Sequence, residues 1–165
     1  VSAAVYVALF GLLELLSNVL AAHYKFPVLG MLIPAGAAVV PLAMLLRDSL
    51  QEHHGRRAVV AALVLGISAT LLTADLSVIR VALASVLAYV VSFGVDTYVF
   101  SILWNRPAHV RMRWSNVASL PIDTLIFVPV AFYGLFPILP LILGQLTVKL
   151  LGTEVAVFLY RMKDR

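Results

Sequence analysis

The stretch SVIRVALASVLAYVVSFGVDTYVFSIL, Ser77 to Leu103, decides the fold class. It is 27 residues long and carries two charged side chains, Arg80 and Asp96. A helix that crosses a bilayer needs about 20 mainly apolar residues, at ~1.5 Å of rise each, to traverse ~30 Å of hydrocarbon. Runs of the same kind flank it on both sides, over residues 3–22, 27–46, 58–74, 115–136 and 138–160. The pattern predicts an all-α integral membrane bundle of six transmembrane helices, forming a single domain over residues 1–165. The first run has no basic segment before it and is too long for a signal peptide, so it is expected to be a span.

Composition requires the same solvent. Hydrophobic residues make up 62% of the chain and charged residues 12%, against ~45–50% and ~25% in soluble domains. So few charges cannot cover a water-facing surface. There is no cysteine, which excludes disulfides and thiolate metal sites. The histidines His23, His53, His54 and His109 fall in polar breaks without metal-ligand spacing, so no metal and no cofactor are expected. No Ser/His/Asp set or His-Glu-x-x-His motif occurs in the spans, and an enzyme is not expected.

The net charge of +4 points to loop asymmetry and not to nucleic acid. Arg47, Arg56 and Arg57 follow the second span; Arg106, Arg111 and Arg113 follow the fourth; Arg161, Lys163 and Arg165 follow the sixth. With six spans all nine lie on one side, and the opposite side keeps only Lys25 in a loop. Both termini are therefore expected in the cytoplasm of a multi-pass protein of the cytoplasmic membrane. Asp75 is expected near the outer surface.

Six charges lie within the spans: Glu14, Arg80, Asp96, Asp123, Lys149 and Glu154. Each costs ~2.5–3.5 kcal/mol at the bilayer centre unless it meets a partner or a wet cavity. Asp96 and Asp123 fall at similar depth in the cytoplasmic third, and Glu14 and Lys149 near the middle. A polar ligand site between helices is the default reading; ion pairs that only fix helix register are the alternative. Ser85, Tyr89, Ser92 and Asp96 form one helical stripe, and Gln145 shares a face with Lys149 one turn on. Pro34 and Pro41, with Gly30 and Gly36, interrupt the second span, either as a kink or as a break that frees backbone groups for a ligand. Asp-Thr-x-x-Phe occurs twice, at Asp96–Phe100 and Asp123–Phe127. That repeat is short enough to reflect either chance or pseudo-symmetry about a midplane site.

Read together, these segments resemble a known family. They are Pro41-Leu-Ala-Met-Leu-Leu-Arg-Asp48-Ser-Leu-Gln-Glu52-His-His-Gly55, Arg80 followed by Ser85 and Tyr89, Asp96-Thr-Tyr-Val-Phe100, Trp114-Ser115, Asp123-Thr124-Leu-Ile-Phe127 and Lys149. Their order and spacing are similar to those of the queuosine-precursor transporter family, also called vitamin-uptake-transporter-like. The resemblance implies a six-helix fold like the substrate-binding components of energy-coupling-factor transporters. It implies uptake of a deazaguanine base such as preQ0, with Asn18, Asp48, Arg80, Ser85, Asp96, Ser115, Asp123 and Lys149 lining the site. Asn116 after Ser115, and the tight connection at Ala74-Asp75-Leu76, depart from the family pattern.

The chemistry is compatible with a guanine-like ligand. Such a base offers adjacent N–H donors that one carboxylate, Asp123 or Asp96, can accept together. Lys149 can donate to its carbonyl or neutralise an aspartate, Gln145 lies beside it, and Tyr89, Phe100, Phe127 or Phe132 can stack on the ring. The expected partners are a small purine-like substrate and the lipid bilayer, with assembly into a homo-oligomer left open. A binding subunit that needs a separate ATPase module, and a carrier of another purine-like or vitamin-like molecule, are the alternatives.

Overall fold

The computed structural model describes residues 2–73 and 76–163. The expected connection at Ala74 and Asp75, and the tail residues Asp164 and Arg165, lie outside them. The described chain is α1 (Ala3–His23), a hairpin of β1 (Lys25–Val28) and β2 (Met31–Pro34), a 3₁₀ turn (Ala35–Ala38), α2 (Val40–Thr73), α3 (Leu76–Ile102), α4 (Ala108–Phe132) and α5 (Ile138–Lys163). The expected all-α architecture is present, with five helices among the described residues where six were expected. Among the described residues four stretches are long and apolar enough to cross a bilayer: Ala3–His23, Val78–Ile102, Ala108–Phe132 and Ile138–Met162.

The second expected span differs most. The sequence reading places a helix over 27–46, but residues 25–34 pair as antiparallel strands, with Phe26 opposite Ile33 and Val28 opposite Met31. Proline explains this. Pro27 and Pro34 lack the N–H that a helix interior needs, whereas a two-stranded ribbon has free edges that tolerate it. Leu29 and Gly30 make the turn with φ of 50° and 77°, the doubly left-handed geometry of a two-residue hairpin. Helix begins only at Val40.

Helix α2 has 34 residues, about 50 Å if straight, but it is broken at Gly55 (φ 78°, ψ 175°). That backbone conformation is open almost only to glycine. Contacts with α1 give the directions of the two halves. Tyr6 of α1 bonds Ser49, and Ser17 bonds Gly36 just before α2, so residues 40–54 run antiparallel to α1. Gly11 meets Gly66 backbone to backbone, while Tyr6 and Val7, earlier in α1, pack against the cluster that holds Val59 and Ala62, so residues 56–73 run parallel to it. The polar run 47–57 lies at the bend of this helical hairpin.

Side chains are distributed as in a lipid-solvated bundle. Leu12, Val90, Leu151 and Phe158 point outward, while Asp96, Gln145 and Lys149 are buried. Helix α3 packs along α4, and α5 packs against α4, β2 and α2. At Gly144 a Cβ would strike the carbonyl of Leu32, so this glycine lets β2 lie directly on α5. The polar stretch Trp104–Trp114, read as a loop, is a loop only to Pro107; that proline precedes the first turn of α4.

Candidate functional site

Lys149 and Asp123 form the centre. The Lys149 Nζ is 2.7 Å from Asp123 Oδ2 and 3.4 Å from Thr124 Oγ1, and it lies 5.6 Å from the centre of the Phe127 ring. Both side chains are largely shielded, at 3% and 15% exposure. The ammonium thus has a carboxylate, a hydroxyl and a ring face around it, which offsets the loss of water for both charges.

The pair opens onto a cavity between the helices. Each helix presents one face to it: Phe10, Glu14, Ser17 and Asn18 on α1; Val40, Met44 and Arg47 on α2; Ser85 and Tyr89 on α3; Asp123 and Phe127 on α4; Gln145 and Lys149 on α5. The spacings of three, four and seven are those of a helix face. The 3₁₀ turn closes one wall. A Cβ at Gly36 would collide with the Ser17 carbonyl, and the Ser17 hydroxyl donates to the Gly36 carbonyl at 3.1 Å. Ser85 donates to the Asn18 side-chain oxygen. The buried Gln145 carboxamide oxygen accepts no hydrogen bond among the described residues. The hollow has a volume of about 50 Å³, room for a few waters and well short of the ~300–1,000 Å³ of a typical ligand pocket.

Arg47 joins this cavity to a second polar layer. Its guanidinium lies 2.7 Å from Asp48 and 2.9 Å from Asp96, and donates to Asn116 Oδ1 at 3.0 Å. Asn116 in turn donates to Asp48 Oδ2 at 3.0 Å. Beyond it, Arg111 holds both oxygens of Glu52 at 2.7 and 2.8 Å, between the rings of Phe100 and Trp104. The repeated Asp-Thr-x-x-Phe acquires a physical meaning here. In each copy the aspartate meets one basic group (Arg47 or Lys149), and the phenylalanine lies against a basic group (Arg111 or Lys149).

Seven of the expected site residues line the cavity: Asn18, Ser85, Tyr89, Asp123, Phe127, Gln145 and Lys149. Asp48 and Asp96 do not; Arg47 holds them one layer away. Ser115 turns its buried hydroxyl to the Met112 carbonyl of its own helix, at 3.3 Å. Arg80 is elsewhere. It donates to the carbonyls of Val130 and Tyr133 at 2.9 and 2.8 Å, capping the end of α4, where helix carbonyls lack partners and the dipole favours a cation.

The charge pattern places Arg47 and Arg111 in loops, but both are buried. The Val40, Met44, Arg47 spacing carries the signal for Arg47, once helix is known to start at Val40. Asn116, read as a departure, bridges Arg47 and Asp48. Outside the spans, Lys25 donates to the Ala22 carbonyl at 2.7 Å, ending α1, and lies over Phe132 and Phe136. Partial burial there pushes its ammonium pKa down.

A cavity with charged groups in its wall, bounded by helices long and apolar enough to cross a bilayer, suits a small polar solute. A family model described as "Putative vitamin uptake transporter" matches residues 74–162, over half of the chain. The chain belongs to that family of membrane uptake transporters. No curated protein and no solved structure matches it.

Proposed function

We propose that this chain imports a queuosine precursor, a deazaguanine base such as preQ0, across the cytoplasmic membrane. The observation that carries the reading is the buried Lys149–Asp123 pair in the wall of a cavity that also offers Gln145 as a free acceptor. Asp123 accepts the paired N–H donors of the base, Lys149 donates to its carbonyl, and Phe127 or Tyr89 stacks on its face. Asn18, Ser85 and Gln145 complete the polar contacts. Asp48 and Asp96 act through Arg47 and not by touching the base. The small hollow must widen to admit a bicyclic ring, in keeping with alternating access. The two halves of α2 serve as separate crossings, which gives six, with both termini and most of the arginines in the cytoplasm.

The test is uptake of radiolabelled deazaguanine bases by cells that lack their own uptake system and express this chain alone. Accumulation that wild-type cells show and Asp123→Asn cells lose is the expected result. Uptake that appears only with a co-expressed ATPase module would assign the chain to a binding subunit. No uptake of any base in either setting would overturn the substrate.

A further inference from the structure

The charges around the cavity do not balance. Four carboxylates, Glu14, Asp48, Asp96 and Asp123, share two basic groups, Arg47 and Lys149. Lys149 is engaged by Asp123, and Arg47 by both Asp48 and Asp96. Glu14 is left over. Among the described residues it makes no hydrogen bond and no ion pair, yet its side chain lines the cavity. It also lines a side recess formed with Asn18, Leu63, Gly66, Ile67, Ser85 and Tyr89. The Gly11–Gly66 crossing sets this position, because close approach of the two backbones brings Glu14 against the second half of α2.

The charged and titratable groups that share its cavity are Arg47 from α2, Tyr89 from α3, Asp123 from α4 and Lys149 from α5. An unmatched carboxylate in a low-dielectric interior is unfavourable and is relieved by gaining a positive charge. No cluster of three or more His, Cys, Asp or Glu that could hold a metal ion occurs among the described residues. A proton needs no coordination shell.

Resting on the carrier reading above, we propose that Glu14 is the binding site for a proton that moves with the substrate. A base entering between Lys149 and Asp123 separates their charges. The Asp123 carboxylate, no longer neutralised by Lys149, then disfavours a second negative charge at Glu14, and that repulsion links proton uptake to occupancy. When the site reopens to the cytoplasm and the Lys149–Asp123 pair re-forms, the proton leaves.

The experiment uses the full chain in liposomes with a trapped pH dye and labelled deazaguanine base. In the wild type, base entry carries about one proton per molecule, and an acid-outside gradient of one pH unit drives about tenfold accumulation. Glu14→Gln moves base without protons and loses the gradient response, whereas Glu14→Asp keeps both. Should Glu14→Gln not transport at all, infrared difference spectra on pH change decide. The protonated-carboxyl band of the wild type must be missing from the folded variant. An unchanged band, the same proton count in Glu14→Gln, or a wild type that exchanges base with no proton movement overturns the assignment of Glu14 and leaves the carrier standing. Absence of base exchange by the wild type overturns the carrier reading and the proton site with it.

Discussion

Arg47 and Asp96 sit on different helices, 2.9 Å apart, with side chains 2% and 0% exposed. The same guanidinium nitrogen is 2.7 Å from Asp48. One cation thus balances two carboxylates from α2 and α3, with Asn116 of α4 bridging. Arg47→Met leaves two buried carboxylates facing each other, and breaking such a pair costs about 3–5 kcal/mol. Purified Arg47→Met protein is expected to unfold at clearly lower temperature than wild type in the same detergent. Adding Asp96→Asn recovers part of the loss by removing one uncompensated charge. Wild-type melting of the single variant would contradict the network.

The Lys149–Asp123 pair predicts a different phenotype. Each residue contributes a charge-assisted hydrogen bond to the base, worth about 1.5–3 kcal/mol. Lys149→Met and Asp123→Asn should each weaken base binding by roughly ten- to a hundredfold. The double variant should lose less than the sum, because each single change strands the other's charge. Titration of labelled base into detergent-solubilised protein measures this, and strictly additive losses would mean that the two act independently.

The faces that build the site were legible in the sequence because they repeat at helical spacing. Asn18 follows Glu14, Tyr89 follows Ser85, and Lys149 follows Gln145, each one turn on. Helices α3 and α5 were legible from length and hydropathy. What stayed hidden was whatever hydropathy averages away. Residues 27–46 are apolar enough for a span, but Pro27 and Pro34 divert the first part into a hairpin. Arg47 and Arg111 looked like loop charges because their partners, Asp96 and Glu52, are 49 and 59 residues away along the chain. The charge of a polar run is visible in a sequence; the direction each side chain takes from it is not.

Arg80 separates the resemblance from the geometry. Its Nε and one terminal nitrogen donate to the carbonyls of Val130 and Tyr133, and its side chain is outside the cavity lining. Arg80→Gln should therefore destabilise the end of α4 by about 1 kcal/mol. Base affinity should stay within about twofold of wild type. A collapse of binding with unchanged melting would return Arg80 to the site.

Gly55 tests the helical hairpin of α2. Its φ of 78° and ψ of 175° belong to a region that a Cβ makes unfavourable by about 1–3 kcal/mol. No heavy atom lies near enough to clash with an added methyl there, so the penalty of Gly55→Ala comes from the backbone alone. Gly94 is the matched control, since a Cβ on that residue of α3 also meets nothing, but its backbone is helical and alanine is the better helix former by ~1 kcal/mol. Gly55→Ala should lower the melting temperature and expose the bend between the two halves to protease, while Gly94→Ala should melt at or above wild type. Equal behaviour of the two variants would mean that the chain does not turn at Gly55, and the separate crossings assigned to the halves of α2 would lose their support.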